Sequence, residues 1–178
     1  MMSLARLLHN RRGNAAVEMA LVTPLLLIIL FGSVELGNYF MNEHILIKGV
    51  RDGARYAARQ NFAQYFGCSN SAASVPTSVS DNTKLLVRTG TLNPAANDLL
   101  PNWGSPQVAF TVTMTCSTSV GGTALGGIYV GNSVGAPGLA PAVLITASLP
   151  YQPILSSFGF SGLNTSLNAS QQAAVAGL

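Results

Sequence analysis

The sequence predicts an α+β fold in which one long amino-terminal helix lies across a small antiparallel sheet. Two patterns carry that prediction. From Ala15 to about Phe66 apolar residues recur close to the helical repeat, and proline interrupts the stretch only at Pro24. From Val108 to Cys116 the pattern becomes strict alternation: Val108, Phe110, Val112, Met114 and Cys116 share one face, and Thr111, Thr113 and Thr115 the other. A second strand, Ala142 to Leu149, follows a glycine-rich hairpin loop from Ser119 to Pro141. A third is expected near Leu163 to Ala169, and a short helix near Asp81 to Arg88. Three strands with one apolar face need a cover, and the outer half of the long helix supplies it.

The 178 residues suit one modest domain plus an appendage. Only 8% of them are charged, where about 25% is usual. Asp98 is the last ionisable acid or base of this set, so residues 99–178 contain no Lys, Arg, Asp, Glu or His. A surface so poor in charge is weakly protected against self-association and suits a subunit that packs on others. The plainer reading is a secreted Ser/Thr/Gly-rich domain that is merely low in charge. Of the basic residues, Arg6, Arg11 and Arg12 precede the apolar run, while Lys48, Arg51, Arg55 and Arg59 follow it. No basic patch is interleaved with aromatics, which argues against a nucleic-acid partner.

Ala15 to Val34 reads AAVEMALVTPLLLIILFGSV, with Glu18 as its one charge. An apolar helix of that length matches a bilayer core about 30 Å thick. A secretory signal peptide fits less well, because Phe31-Gly32-Ser33-Val34-Glu35 makes a poor cleavage site. Arg11-Arg12 is followed by polar residues, unlike a twin-arginine signal. Arg6, Arg11, Arg12 and the amino terminus are expected to stay cytoplasmic by the positive-inside tendency, with the carboxy-terminal domain on the other side. Lys48 and Arg51 weaken that contrast. If the domain is exported, Cys68 and Cys116 are a disulfide candidate. Closing the loop would stabilise the domain by at most roughly 4 kcal/mol. The alternative is two buried free thiols.

Arg11-Arg12-Gly13-Asn14-Ala15-Ala16-Val17-Glu18 resembles the leader junction of type IV prepilins, in which a basic leader ends in Gly and an acid stands fifth after it. The resemblance implies cleavage between Gly13 and Asn14 by a membrane prepilin peptidase. Glu18 has a physical case of its own. A carboxylate at mid-bilayer costs about 2.5–3.5 kcal/mol on insertion scales, and less one turn from a helix start, where unpaired N–H groups favour an anion. Cleavage would create an ammonium at nearly the same depth, so a neighbour's amine could pair with Glu18 and register one subunit on the next. The plainer reading of Glu18 is a helix-capping acid.

The segment from Arg12 to Ala58 is more specific. Arg12-Gly13, Ala16-Val17-Glu18, the leucine run around Pro24, Glu35-Leu36-Gly37 and Val50-Arg51-Asp52-Gly53-Ala54-Arg55-Tyr56-Ala57 together resemble the TadE-like pseudopilins of tight-adherence (Flp) pilus systems. The resemblance implies a pilin-like fold and a minor pilin needed for pilus assembly, hence for adhesion and biofilm formation. It implies an inner-membrane protein with a periplasmic domain, incorporated into the extracellular pilus or held beneath it. The implied partners are the prepilin peptidase, other pilins and pseudopilins (a TadF-like subunit, the major pilin) and the inner-membrane assembly platform. A TadF-like or TadG-like role shares the same short motifs. The stretch Ala147-Ser-Leu-Pro-Tyr-Gln-Pro-Ile-Leu155 loosely resembles the carboxy-terminal part of the same family.

On this framework the chain divides into a cleavable leader (1–13), a long helix (14–66, membrane-spanning at about 15–34) and an extracytoplasmic sheet domain (67–178). Arg51, Arg55 and Arg59, four apart, form one helical face, with Asp52 in reach of Lys48 and Arg55. That face is read as solvated or headgroup-facing, or more sharply as a docking face for an acidic partner. Gly37, Gly49 and Gly53 are read as permitting close helix packing, or equally as neutral drift. Catalytic chemistry finds little support. The two histidines, His9 and His44, lie outside the sheet region, and no paired acids, nucleophile–His pair or metal-ligand spacing occurs. No cofactor and no metal are expected. The competing reading is an uncleaved, membrane-tethered adhesion or binding module.

Overall fold

The computed structural model describes residues 13–65, 72–117, 119–120, 123–124, 126–129, 139–158 and 165–177. Helix α1, Asn14–Ala58, runs for 45 residues, a length of ~67 Å at 1.5 Å per residue. Its first half is exposed throughout from Ala15 to Val34. Its second half buries Leu46, Val50, Ala54 and Ala57. Pro24 sits inside the helix, and the hydroxyls of Thr23 and Ser33 donate back to the carbonyls of Met19 and Leu30 at 2.6 and 2.8 Å. In an apolar surrounding these side-chain donors have no water to prefer.

The helix ends earlier than its apolar pattern predicts. Its last turn closes at Ala58 rather than near Phe66, which lies outside the described residues. The reason is tertiary. The Tyr65 hydroxyl donates to the Ala57 carbonyl, and the Ala176 N–H donates to that of Ala58 at 2.8 Å. These bonds satisfy carbonyls that a further helical turn would otherwise have taken. A 3-10 turn, Phe62–Tyr65, follows. Gly177 holds φ +61 beside it, and a Cβ there would lie 2.4 Å from the Phe62 ring, so the closing strap needs glycine.

Strand β1, Ala73–Ser74, is two residues long. Helix α2, Thr77–Thr89, is longer than the expected Asp81–Arg88 and stops at Gly90, whose left-handed backbone (φ 75) caps it. It packs on α1 at close quarters. A Cβ on Gly49 would stand 2.8 Å from the Val87 carbonyl oxygen, and one on Gly53 2.6 Å from Val87 Cγ2. Gly37, grouped with these two in the sequence reading, has nothing within 4 Å of that position.

The sheet follows. Strand β2 is Ala109–Ser117, β5 is Ala140–Pro150 and β6 is Ser166–Ala174. The expected glycine-rich loop between β2 and β5 contains a small hairpin of β3, Ser119–Val120, and β4, Thr123–Ala124. The four-stranded sheet has the order β1-β2-β5-β6, antiparallel throughout. Register pairs Val112 with Ile145 and Ala147 with Ala169. The alternation read from Val108 to Cys116 holds: Val112, Met114 and Cys116 are buried and Thr111 is exposed. The third strand lies later than expected, because its apolar positions are mostly alanines that give little pattern. The buried face of the sheet, with Val143, Ile145, Leu149 and Leu167, meets α1 in one core.

Two contacts fix the direction of α1 on the sheet. Tyr151, bonded through its N–H to the Thr165 carbonyl just before β6, reaches Glu35. Ala176, just after β6, reaches Ala58. Helix α1 and strand β6 therefore run the same way, and β6 is an edge strand.

Candidate functional site

The amino end of α1 is an open apolar rod. Gly13 occupies the N-cap with no side-chain cap bond, and no acid lies in the first turn. Glu18 is one residue beyond that turn and exposed, so it does not act as a cap. Among the described residues no ion pair involves it. Arg6, Arg11 and Arg12 lie outside the described residues. None of the apolar window of α1 is buried against the rest of the chain. Such a surface needs lipid or protein around it.

Where the rod meets the domain, an acid is held in a closed set of bonds. The Glu35 carboxylate accepts the Tyr151 hydroxyl, the Ile154 N–H at 3.2 Å and the Leu155 N–H at 3.1 Å. Asn38 Nδ2 donates to the Tyr151 oxygen at 2.7 Å. The Ile154 and Leu155 amides open a 3-10 turn, Ile154–Phe158, and so lack partners of their own within it. Tyr151 is 7% exposed. Burial pushes its hydroxyl up to about 12, and the bond to the Glu35 carboxylate acts in the same sense. Tyr39 packs edge-on against Tyr151, with ring centres 5.2 Å apart. This clasp joins the end of the expected membrane span to the loop after β5. Neither partner was paired from sequence. Both lay in stretches already singled out, Glu35-Leu36-Gly37 and the run ending in Leu155, but nothing in one chain reveals that two such stretches touch.

Farther along α1, Arg51, Arg55 and Arg59 are exposed as one face. Asp52 pairs with Arg55 at 3.5 Å. Arg59 is the C-cap of the helix rather than part of it. A depression of about 470 Å³ beside this face is lined by Asp52, Arg55, Tyr56, Arg59, Gln60 and Leu86. A second ion pair, Arg88 with Asp98, ties α2 to the segment after it. Cys116, 2% exposed, is disulfide-bonded. Cys68 lies outside the described residues. Among the described residues no group of three His, Cys, Asp or Glu could hold a metal ion.

Residues 13–55 match the family model described as TadE-like protein. The match begins at the Gly13 junction, takes in Glu18, Glu35 and Arg51, and ends at Arg55. No curated protein and no solved structure matches the chain. The matched span covers the exposed rod and most of the helix that packs on the sheet, and it stops short of the sheet itself. The similarity shown for this chain is thus to the TadE-like family, over residues 13–55.

Proposed function

We propose that the chain is a structural minor pilin, a pseudopilin, of a tight-adherence pilus: anchored by α1, cut between Gly13 and Asn14, and packed into an assembly through the bared helix. One observation carries the reading. The first half of α1 is apolar and exposed from Ala15 to Val34, and its one charge, Glu18, has no partner in its own chain among the described residues. A plain membrane tether gains nothing from a carboxylate there. A subunit that docks on a neighbour's new amino terminus gains a charge-assisted bond in an apolar medium, where such bonds are strong.

The partners proposed are the prepilin peptidase, other pilin-type subunits and an inner-membrane platform, with the sheet domain in the periplasm. The Arg51, Arg55 and Arg59 face is proposed to meet an acidic surface of one of them. A Cys68–Cys116 bridge is proposed as the stabiliser of the exported domain. The role is proposed to be structural rather than catalytic, since no paired acids and no nucleophile–His pair occur in the sequence of the exported region. Adhesion and biofilm formation follow from the pilus that this subunit helps to build.

The test is the intact mass of the membrane form. A mature chain that begins at Asn14 is expected. Recovery of the protein with its leader still attached, in cells whose peptidase is active, would leave the tethered binding module as the better reading. Glu18→Ala is expected to insert normally and to abolish pilus assembly.

A further inference from the structure

A groove of about 400 Å³ lies where α1 leaves its apolar half and meets the domain. Ile28, Phe31, Leu36 and Tyr39 line it from the helix, and Tyr151 and Leu155 from the loop after β5. Its volume falls within the range of about 300–1,000 Å³ typical of ligand sites. We propose that this groove holds one acyl chain of a glycerophospholipid from the leaflet on the domain's side of the membrane. The inference rests on the reading of Ala15–Val34 as the membrane span.

Three observations select that occupant. The first is position. Ile28 and Phe31 belong to the exposed apolar half of α1, whereas Tyr39 and Tyr151 meet edge-on at the other end of the groove. Tyrosines of this kind sit at the headgroup level of a bilayer. The groove therefore opens in the hydrocarbon and closes at the interface, the direction in which a lipid tail lies. The second is chemistry. Glu35 lines the groove, but its carboxylate already accepts three donors, so the site makes no demand for a cation or a polar ligand. The third is shape. Helices pack in membranes through small residues spaced four apart, which let backbones approach. Here large side chains form the walls, and Gly32 is followed four residues later by Leu36. Gly32 forms the floor, and a Cβ there would meet nothing within 4 Å. A thin flexible chain fits such a slot better than a helix does.

The experiment uses the full chain in its native membrane. Carbonate extraction comes first: release of the chain would overturn the anchor and the inference with it. For the membrane-resident chain, a benzophenone amino acid at Leu36 is photolysed and the product analysed by intact mass. An adduct of one phospholipid on a monomer is expected. The companion variant Gly32→Phe, which fills the floor, is expected to lose that adduct. Gly37→Phe, equally unhindered but outside the groove, is expected to keep it. A crosslink to a second copy or to another protein in place of lipid, no adduct at all, or an adduct indifferent to Gly32→Phe would each overturn the inference while leaving the anchor intact.

Discussion

Glu35 is the residue on which the junction of span and domain depends. Hydrogen bonds to a charged group contribute about 1.5–3 kcal/mol each to stability, and removing one partner leaves the others unsatisfied. Glu35→Ala strands the Ile154 and Leu155 amides and leaves the Tyr151 hydroxyl only the Glu35 backbone carbonyl, at 3.3 Å, in place of the carboxylate. A loss of roughly 2–4 kcal/mol is expected in urea unfolding of the chain in detergent, with a smaller loss for Glu35→Gln; an unchanged midpoint for Glu35→Ala would refute the clasp. The same contact sets an alkaline limit. The Tyr151 hydroxyl is pushed up to about 12, mainly by burial, and burial also pushes the Tyr65 hydroxyl up. Above the ordinary tyrosine value of about 10 the unfolded chain gives up these protons while the folded chain keeps them. Stability is therefore fully present below about pH 10 and lost as pH rises toward the folded values. Unfolding midpoints measured at about pH 9 and about pH 11 should fall by an amount that Tyr151→Phe reduces. Thr83 shows the opposite case. Its hydroxyl is buried and makes no hydrogen bond among the described residues, so Thr83→Val is expected to leave stability unchanged or to raise it by about 1 kcal/mol.

Among the elements, α1 and α2 approach closely at two glycines, Gly49 and Gly53. The obstacle at Gly49 is a backbone carbonyl, which cannot turn aside, whereas at Gly53 it is the tip of a side chain. Gly49→Ala is expected to cost about 1–3 kcal/mol by overpacking, outweighing the gain in helix propensity of about 1 kcal/mol. Thermal unfolding compared with Gly37→Ala, an open position, separates the two effects. Much of this element plan was legible in the residues. Alternation fixed β2 and its buried face, since Val112 and Met114 are large and their threonine neighbours polar. Continuous apolar spacing announced α1. The end of α1 was not legible, because the groups that stop it, Tyr65 and Ala176, act across the fold. Strand β1 is too short to leave a pattern, and β6 is written mainly in Ala, Ser and Gln. The Glu35–Tyr151 clasp, likewise, depends on residues 116 positions apart, a separation no local pattern reports.

At the scale of the whole molecule, charge and exposure divide the protein in two. After the arginines that precede α1, the ionised side chains gather on α1 and its C-cap, α2 and the segment after α2, ending at Asp98, and residues 99–178 carry none. Natural sheets guard a long edge strand with lysine, proline or a bulge. Strand β6 has nine residues and neither charge nor proline. Yet β6 runs in the same direction as α1, and that alignment constrains how two copies can meet. Joining two β6 edges in the antiparallel sense requires a half-turn about the sheet normal, which would also reverse one helix. Two chains rooted in a single bilayer cannot satisfy it, for their roots would point apart. Only the parallel pairing remains to them, and its ladder is the weaker one. The root thus does the work a lysine would do elsewhere: severed from it, the sheet domain should stick to itself, and sedimentation at rising concentration would show as much.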